Sequence, residues 1–176
     1  YDKDGKPFDV ATQQKKQEDK YFVGNAIPRL ILSWNHTISW KQFDAGVYFR
    51  SWLGYDVFNM IDMYYGVAQG SKRNVLRSAY GKNSQIKKEK ELSDYWLEKG
   101  DFVKLDALSV GYTFKPGTVK PFEGLRLYAT ARDLFVITKY TGLDPEVNIN
   151  GLEPGFEERN VYPRTRTFML GAQVNF

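Results

Sequence analysis

The sequence predicts an all-β protein whose strands form part of an antiparallel transmembrane β-barrel that is incomplete in this chain. Three observations support this. Apolar and polar residues alternate along five long segments, short and long connections follow each other, and aromatic residues collect near the strand ends. No run approaches the roughly 18 apolar residues of a transmembrane helix, so any membrane crossing here uses strands.

The first two strands are predicted at 29–40 and 42–56. Apolar side chains and His36 occupy the even positions of the first segment, and apolar side chains occupy the odd positions of the second except at Ser51. A two-residue connection, Lys41 and Gln42, separates the two runs. This arrangement predicts a β-hairpin with one apolar and one polar face.

Three further strands are predicted at 101–114, 124–138 and 164–176. The first of them ends at the turn signal Lys115-Pro116-Gly117. Asp133 interrupts the apolar side of the next strand, which predicts a β-bulge there. These segments meet the roughly 9–11 residues of a tilted bilayer crossing, whereas strands of soluble proteins average about 5–6 residues.

The connections between these strands alternate in length. Long loops are predicted at 1–27, 57–99 and 139–163, whereas the turns at 41–42 and 115–124 are short. Short turns on one side and long loops on the other are typical of outer-membrane barrels. The long loops are therefore expected to be extracellular.

The composition excludes several kinds of chemistry. The 176 residues include no Cys and one His, with a formal net charge of +4. Disulfides, thiolate metal sites and Cys nucleophiles are excluded, and His36 has no partner base or nucleophile in a recognisable arrangement. We predict no enzymatic activity and no nucleic-acid partner.

Several ordered motifs carry a resemblance to a known family. Residues 95–105 (YWLEKGDFVKL), 108–114 (LSVGYTF), 139–146 (KYTGLDPE) and 162–168 (YPRTRTF) are the most specific of them. They resemble the C-terminal part of SusC/RagA-type TonB-dependent outer-membrane transporters of Bacteroidetes. Arg132-Asp133 departs from the uncharged amide pair that the family often carries.

The resemblance implies a barrel of about 22 strands around a plug domain. Five strands cannot close such a barrel, and unpaired strand edges are not tolerated in hydrocarbon. We therefore expect residues 1–176 to be the C-terminal portion of a larger transporter, with the plug domain and most strands outside this chain.

The resemblance also implies a function, namely TonB-dependent, energy-coupled import of a nutrient, a glycan or an oligopeptide, across the outer membrane of a Gram-negative, Bacteroidetes-like cell. The expected partners are the remainder of the transporter, a SusD-like surface lipoprotein, the TonB complex through the plug, and outer-membrane lipid. Two alternatives remain: a passive porin-like or adhesive barrel, and a soluble carbohydrate-binding β-domain.

Three sets of residues are candidates for specific roles. Loop aromatic residues are candidates for substrate binding, although such rings also pack loops: Tyr64, Tyr65, Tyr80, Tyr95 and Trp96. The last strand resembles the signal read by the barrel assembly machinery, at Phe168, Leu170, Ala172, Val174 and Phe176. Oxygen-bearing side chains of the third loop form a candidate site for Ca²⁺, and no other cofactor is expected: Asp144, Glu146, Asn148 and Asn150.

Overall fold

The computed structural model describes residues 21–68, 74–86, 92–159 and 162–176. Its largest element is a five-stranded antiparallel sheet with the strand order β1-β2-β5-β6-β7, which we call the wall. The wall strands are β1 (Leu30–Trp40), β2 (Phe43–Leu53), β5 (Phe102–Thr113), β6 (Gly124–Thr138) and β7 (Thr167–Asn175). Two short strands, β3 (Asp56–Phe58) and β4 (Leu97–Lys99), form a second sheet, and α1 spans Met60–Tyr65.

The predicted all-β fold is confirmed. The predicted boundaries of the wall strands differ from the observed ones by up to three residues, as at the end of β2 (56 against 53) and the start of β7 (164 against 167). Residues 57–99, predicted as a loop, also contain α1 and most of the β3–β4 sheet. The first twenty residues of the predicted loop 1–27 lie outside the described residues.

The strand register separates an apolar face from a polar face. Trp34 pairs with Phe49, which pairs with Leu105, which in turn pairs with Phe135. Directly paired residues of antiparallel strands lie on the same face, so apolar side chains run across four strands. Trp34 is 61% exposed and Leu170 is 89% exposed. A contiguous apolar surface of this kind is rare on soluble monomers.

The other face of the wall carries charge. Near the short turns, Arg126 Nε donates to Asp44 Oδ1 at 3.0 Å. Near the long loops, Arg50 is paired with Lys104 in the register. The polar side chains that the alternation assigned to this face therefore do meet across the strands.

Two bulges adjust the wall where the charges are. The register shifts beside Asp106 in both of its strand pairings, and Asp133 in β6 adopts a φ of +53°. Asp is one of the few residues that adopts this left-handed conformation readily, which fits the bulge predicted at this position. The bulge brings Asp133 onto the charged face beside Lys104.

Among the described residues, no helix is long and apolar enough to cross a membrane. Within the same residues, β1 and β7 each pair with a neighbour on one side only.

Candidate functional site: the loop cap

The two long connections pack together at one end of the wall. We call their described residues, 54–68, 74–86, 92–101 and 139–159, the loop cap. Phe58 of β3 forms an isolated bridge with Phe156 of the second connection, and Phe58 N donates to Gly155 O at 2.7 Å. The segment before β1 joins them, since Asp56 N donates to Asn25 O at 2.7 Å. The loop cap is therefore a folded layer.

Two small apolar clusters lie within and below the loop cap. The first contains Tyr55, Val57, Phe102 and Tyr140 and lies where the cap meets the wall. The second lies under α1 and contains Met63, Val67 and Trp96, with Phe58, Tyr64 and Ile86 packed against it. Each cluster is too small to hold the loops in one conformation by itself, so polar contacts contribute much of the loop structure.

Asp62, in α1, is the centre of one polar network. It accepts hydrogen bonds from Ser78 Oγ and, at 3.2 Å, from Asn83 Nδ2, and Lys82 Nζ lies 2.9 Å from Asp62 Oδ2. Burial acts to raise the pKa of Asp62, but the hydrogen bonds and the charge of Lys82 outweigh it and lower the pKa below its usual value. The carboxylate is therefore held ionised inside the cap.

Glu98 extends this network to the second connection. Its carboxylate accepts from Thr141 N at 2.8 Å and from Thr141 Oγ1 at 2.7 Å, and Lys82 Nζ lies 3.3 Å away. Burial acts to raise the pKa of Glu98, whereas the two Thr141 hydrogen bonds and Lys82 lower it, with a net decrease. Glu98 thus ties β4 to the loop that follows β6.

Glu157 organises the second connection from inside. It is buried and accepts from Tyr140 Oη at 2.7 Å, from Leu143 N at 2.7 Å and from Asp144 N at 3.0 Å. Burial first, and the neighbouring Glu157 charge second, raise the pKa of Tyr140. The phenol therefore remains a hydrogen-bond donor at physiological pH.

A cluster of charges joins the loop cap to the polar face of the wall. Arg50 Nε lies 2.7 Å from Asp106 Oδ2, and Arg50 Nη1 lies 2.5 Å from Glu146 Oε1. Lys104 Nζ lies 2.6 Å from Asp133 Oδ1, with its side chain 1% exposed. Lys104 Nζ also lies 3.4 Å from Asp106 Oδ1 and 3.5 Å from Glu146 Oε2, so its charge is surrounded by three carboxylates.

An open cleft of about 860 Å³ lies between α1 and the second connection. Its walls combine apolar side chains with amides and charges, and Arg159 lies over the Tyr64 ring at 4.1 Å from its centroid. Its lining includes Met60, Tyr64, Asn148, Asn150, Leu152 and Phe156. Mixed apolar and hydrogen-bonding walls are the usual composition of a ligand site.

The predicted aromatic binding residues are spread over the cap. Tyr64 lines the cleft, whereas Trp96 is 4% exposed in the second apolar cluster and Tyr80 is 77% exposed outside the cleft lining. Tyr95 Oη donates to Asn83 Oδ1 at 2.8 Å, and Tyr65 is half-buried. The structure brings only Tyr64 to the cleft, and a binding role for all five stays a prediction.

Three of the four predicted calcium residues contact other groups of the protein through their side-chain oxygens. Asp144 pairs with Arg164 at 2.5 Å and Glu146 pairs with Arg50, while Asn148 Oδ1 accepts from Asn150 N at 2.9 Å. The described residues contain no group of three or more His, Cys, Asp or Glu arranged to hold a metal ion.

Four residues of the predicted assembly signal lie in β7 on the apolar face of the wall, and Phe176 directly follows the strand. Phe168 pairs with Ala131 and Leu170 with Ala129. Ala172 pairs with Leu127, Val174 pairs with Leu125, and the rings of Phe122 and Phe176 are 5.5 Å apart. The signal role stays a prediction.

Sequence reasoning missed the charged cluster and Glu157. A signal was present for Lys104 and Asp106, because two charges interrupt the otherwise apolar run 102–108, and burying unpaired charges there would be costly. Glu157 has no such signal, since its partners are defined only when the loop folds.

The sheet and the cap together define a class of protein. A wall with an exposed apolar face, a charged opposite face, short turns at one end and folded loops at the other is part of an outer-membrane-type β-barrel.

Comparison with known proteins agrees with this class. The chain is similar to the TonB-dependent receptor SusC of Bacteroides thetaiotaomicron, with 29% identity over 199 aligned residues that cover 100% of this chain and 18% of the receptor. It is also similar to the TonB-dependent receptor P3 of Formosa agariphila, with 25% identity over 173 residues that cover 90% of this chain and 17% of that receptor. No family model matches the chain.

Solved structures show the same fold. The RagAB peptide importer in the open-open state superposes with a TM-score of 0.70 and 19% identity, over 97% of this chain and 20% of that one. The closed-closed state gives a TM-score of 0.69. The predicted resemblance to SusC/RagA-type TonB-dependent transporters is thus confirmed, and the chain spans about a fifth of the length of these relatives.

Proposed function

We propose that this chain is the C-terminal part of the barrel of a TonB-dependent transporter that imports a nutrient across the outer membrane. The observation that carries the proposal is the wall itself, whose exposed apolar face suits lipid, in a chain similar to TonB-dependent receptors. The chain supplies wall strands and external loops, and it performs no covalent chemistry. The plug, the remaining strands and the TonB-contacting segment belong to the rest of the transporter.

Energy coupling is the part of this proposal that a passive barrel would lack. Uptake by cells that carry the full-length transporter is measured before and after a protonophore collapses the proton gradient. We expect uptake to stop, because TonB-linked transport draws on that gradient. Continued uptake would indicate a porin-like barrel, and a protein that stays in solution without detergent would exclude both.

We place ligand capture in the cleft between α1 and the second connection. Asn150 and Leu152 are exposed residues of its lining, so replacing them with Ala carries little folding cost. The nutrient, proposed to be a glycan or an oligopeptide, is first identified by mass spectrometry of ligand that co-purifies with the intact transporter. Asn150→Ala and Leu152→Ala should then weaken its binding by about tenfold, a loss typical of one buried contact.

Tyr80→Ala is the matched control, because Tyr80 is exposed on the loop cap outside this cleft. Weaker binding in Tyr80→Ala, with both cleft variants unchanged, would indicate that the ligand binds the exposed tyrosines and not the cleft.

We further propose a SusD-like surface lipoprotein as the partner over the loop cap, supported by the family resemblance. Its co-purification with the intact transporter is the test, and a transporter that imports at full rate without any lipoprotein would contradict it.

A further inference from the structure

Glu146 of the second connection receives cations from three separate parts of the chain. Arg50 in β2 binds it with both terminal nitrogens, at 2.5 Å and 3.0 Å. Arg164, shortly before β7, contributes Nη2 at 3.0 Å, and Lys104 in β5 lies 3.5 Å away. A single loop carboxylate is thus bound by residues from or next to three wall strands.

The wall holds two of these cations in place without help from Glu146. Arg50 also forms two contacts with Asp106, at 2.7 Å and 3.3 Å, and Lys104 pairs with Asp133. A guanidinium that is already oriented by one carboxylate presents its remaining nitrogens in a fixed direction. The wall therefore presents a preformed cradle for the carboxylate of the loop.

Burial makes this contact costly to lose. The Glu146 side chain is 10% exposed and that of Lys104 is 1% exposed. When one partner of a buried ion pair is removed, the other charges remain desolvated without compensation. The loop position with Glu146 in the cradle is consequently favoured over positions in which it is displaced.

The residues next to Glu146 transmit this position to the cleft. Tyr55 Oη donates to Pro145 O at 2.7 Å, and this bond holds Pro145, the residue before Glu146, at the junction of wall and cap. The cleft lining begins two residues after Glu146, at Asn148, and continues to Arg159. The opposite side of the cleft, at Met60 and Tyr64, belongs to α1.

We infer that Glu146 is the positioning residue of the cleft: its charge clamps the second connection onto the polar face of the wall and thereby sets one side of the binding site. Glu146 itself contacts the wall rather than the ligand. The inference rests on the proposed capture of ligand in this cleft, and it holds whether or not import is coupled to TonB.

The test measures amide hydrogen exchange in the full-length transporter, with Glu146→Gln and Glu146→Lys compared with the parent. Gln has the shape of Glu but no charge, so it preserves packing and removes the clamp. We expect exchange of cap amides such as Val147 N and Gly155 N, both bonded within this loop, to rise about tenfold in Glu146→Gln. Glu146→Lys should exchange faster still, because it places a fourth cation in the cradle.

Glu153→Gln is the matched control for exchange, since Glu153 is exposed in the same loop and forms no ion pair found among the described residues. Glu153 lines the cleft, so this variant controls for loop exchange and is not a control for ligand binding. Exchange in this variant should equal that of the parent. The inference is overturned if Glu146→Gln exchanges like the parent, if the control accelerates equally, or if amides of β5 and β6 accelerate together with the loop.

Discussion

The wall and the loop cap of this protein are stabilised by different kinds of contact. The wall strands are 9 to 15 residues long and follow a continuous antiparallel register, so each strand is held by many backbone hydrogen bonds. The cap has short elements and depends on three carboxylates, those of the buried Asp62 and Glu157 and of the half-buried Glu98. We therefore expect the wall to tolerate most substitutions that respect its two faces, and the cap to respond to the loss of one side chain.

The largest effect is expected from a charge on the apolar face of the wall. Ala129 lies on this face, paired with Val110 and Leu170. Ala129→Arg should lower the free energy of unfolding in lipid or detergent by about 2–4 kcal/mol, the cost of a cation near the bilayer midplane. Denaturant titration of the full-length barrel measures it.

Thr130→Arg is the control, one residue along and on the polar face, and it should change the free energy of unfolding by less than about 1 kcal/mol. Equal effects of the two substitutions would show that the two faces do not differ in environment. That result would contradict the membrane placement of the wall.

The second effect concerns the loop cap. Asp62→Ala removes the acceptor of Ser78 and Asn83 and leaves Lys82 without its nearest carboxylate. We expect the local stability of the cap to fall by about 2–3 kcal/mol, because buried donors lose their partner. Limited proteolysis between 54 and 100 should become faster, while the unfolding of the wall stays unchanged. Coupled loss of wall and cap would show that the two are one cooperative unit.

A smaller effect is expected from pH. The pKa values of Asp62 and Glu98 are lowered in the folded cap, so their contribution to its stability is complete above the unfolded values of about 4 and is lost as the pH falls below them. The pKa of Lys82 is raised, so its contribution is lost only above about pH 10.5. Protease sensitivity of the cap should therefore rise as the pH falls below about 4, and the double variant Asp62→Asn, Glu98→Gln should show a flatter profile.

The smallest effect is expected at the start of α1. Asn59 Oδ1 accepts from Asp62 N at 2.8 Å and caps the helix. Asn59→Ala should lower the local stability of the cap by about 1 kcal/mol, and Asn59→Ser should restore part of it, because Ser is also a good helix cap. Hydrogen exchange of the amides of α1 is the measurement. Parent-like exchange in Asn59→Ala would show that the cap hydrogen bond contributes nothing.

Part of this structure follows from short stretches of sequence. The alternation around Trp34 and Phe49 predicts two strands and their faces, and the two-residue connection at Lys41 predicts the hairpin, in which Lys41 adopts the positive φ of 55° that such turns use. The misplaced charge of Asp133 predicts a bulge. These features depend on neighbouring residues, so a single sequence contains the information for them.

The arrangement of the loop cap does not follow from sequence in this way. The loop aromatic residues look alike in the sequence, yet Trp96 is buried, Tyr80 is exposed and Tyr64 lines the cleft. Which role each ring takes depends on how the two connections pack, through contacts between residues far apart in the chain. Burial is a property of that packing, and residue type alone does not specify it.

The sequence by itself determined the two faces of the wall, because strand periodicity is local and a one-residue slip would move every apolar side chain to the wrong face. Only the tertiary structure decided that Glu146 meets Arg50, which is 96 residues away in the chain, and that Glu98 meets Thr141. An ion pair or a buried hydrogen bond requires specific atoms within about 3 Å, and the folded backbone alone sets that distance.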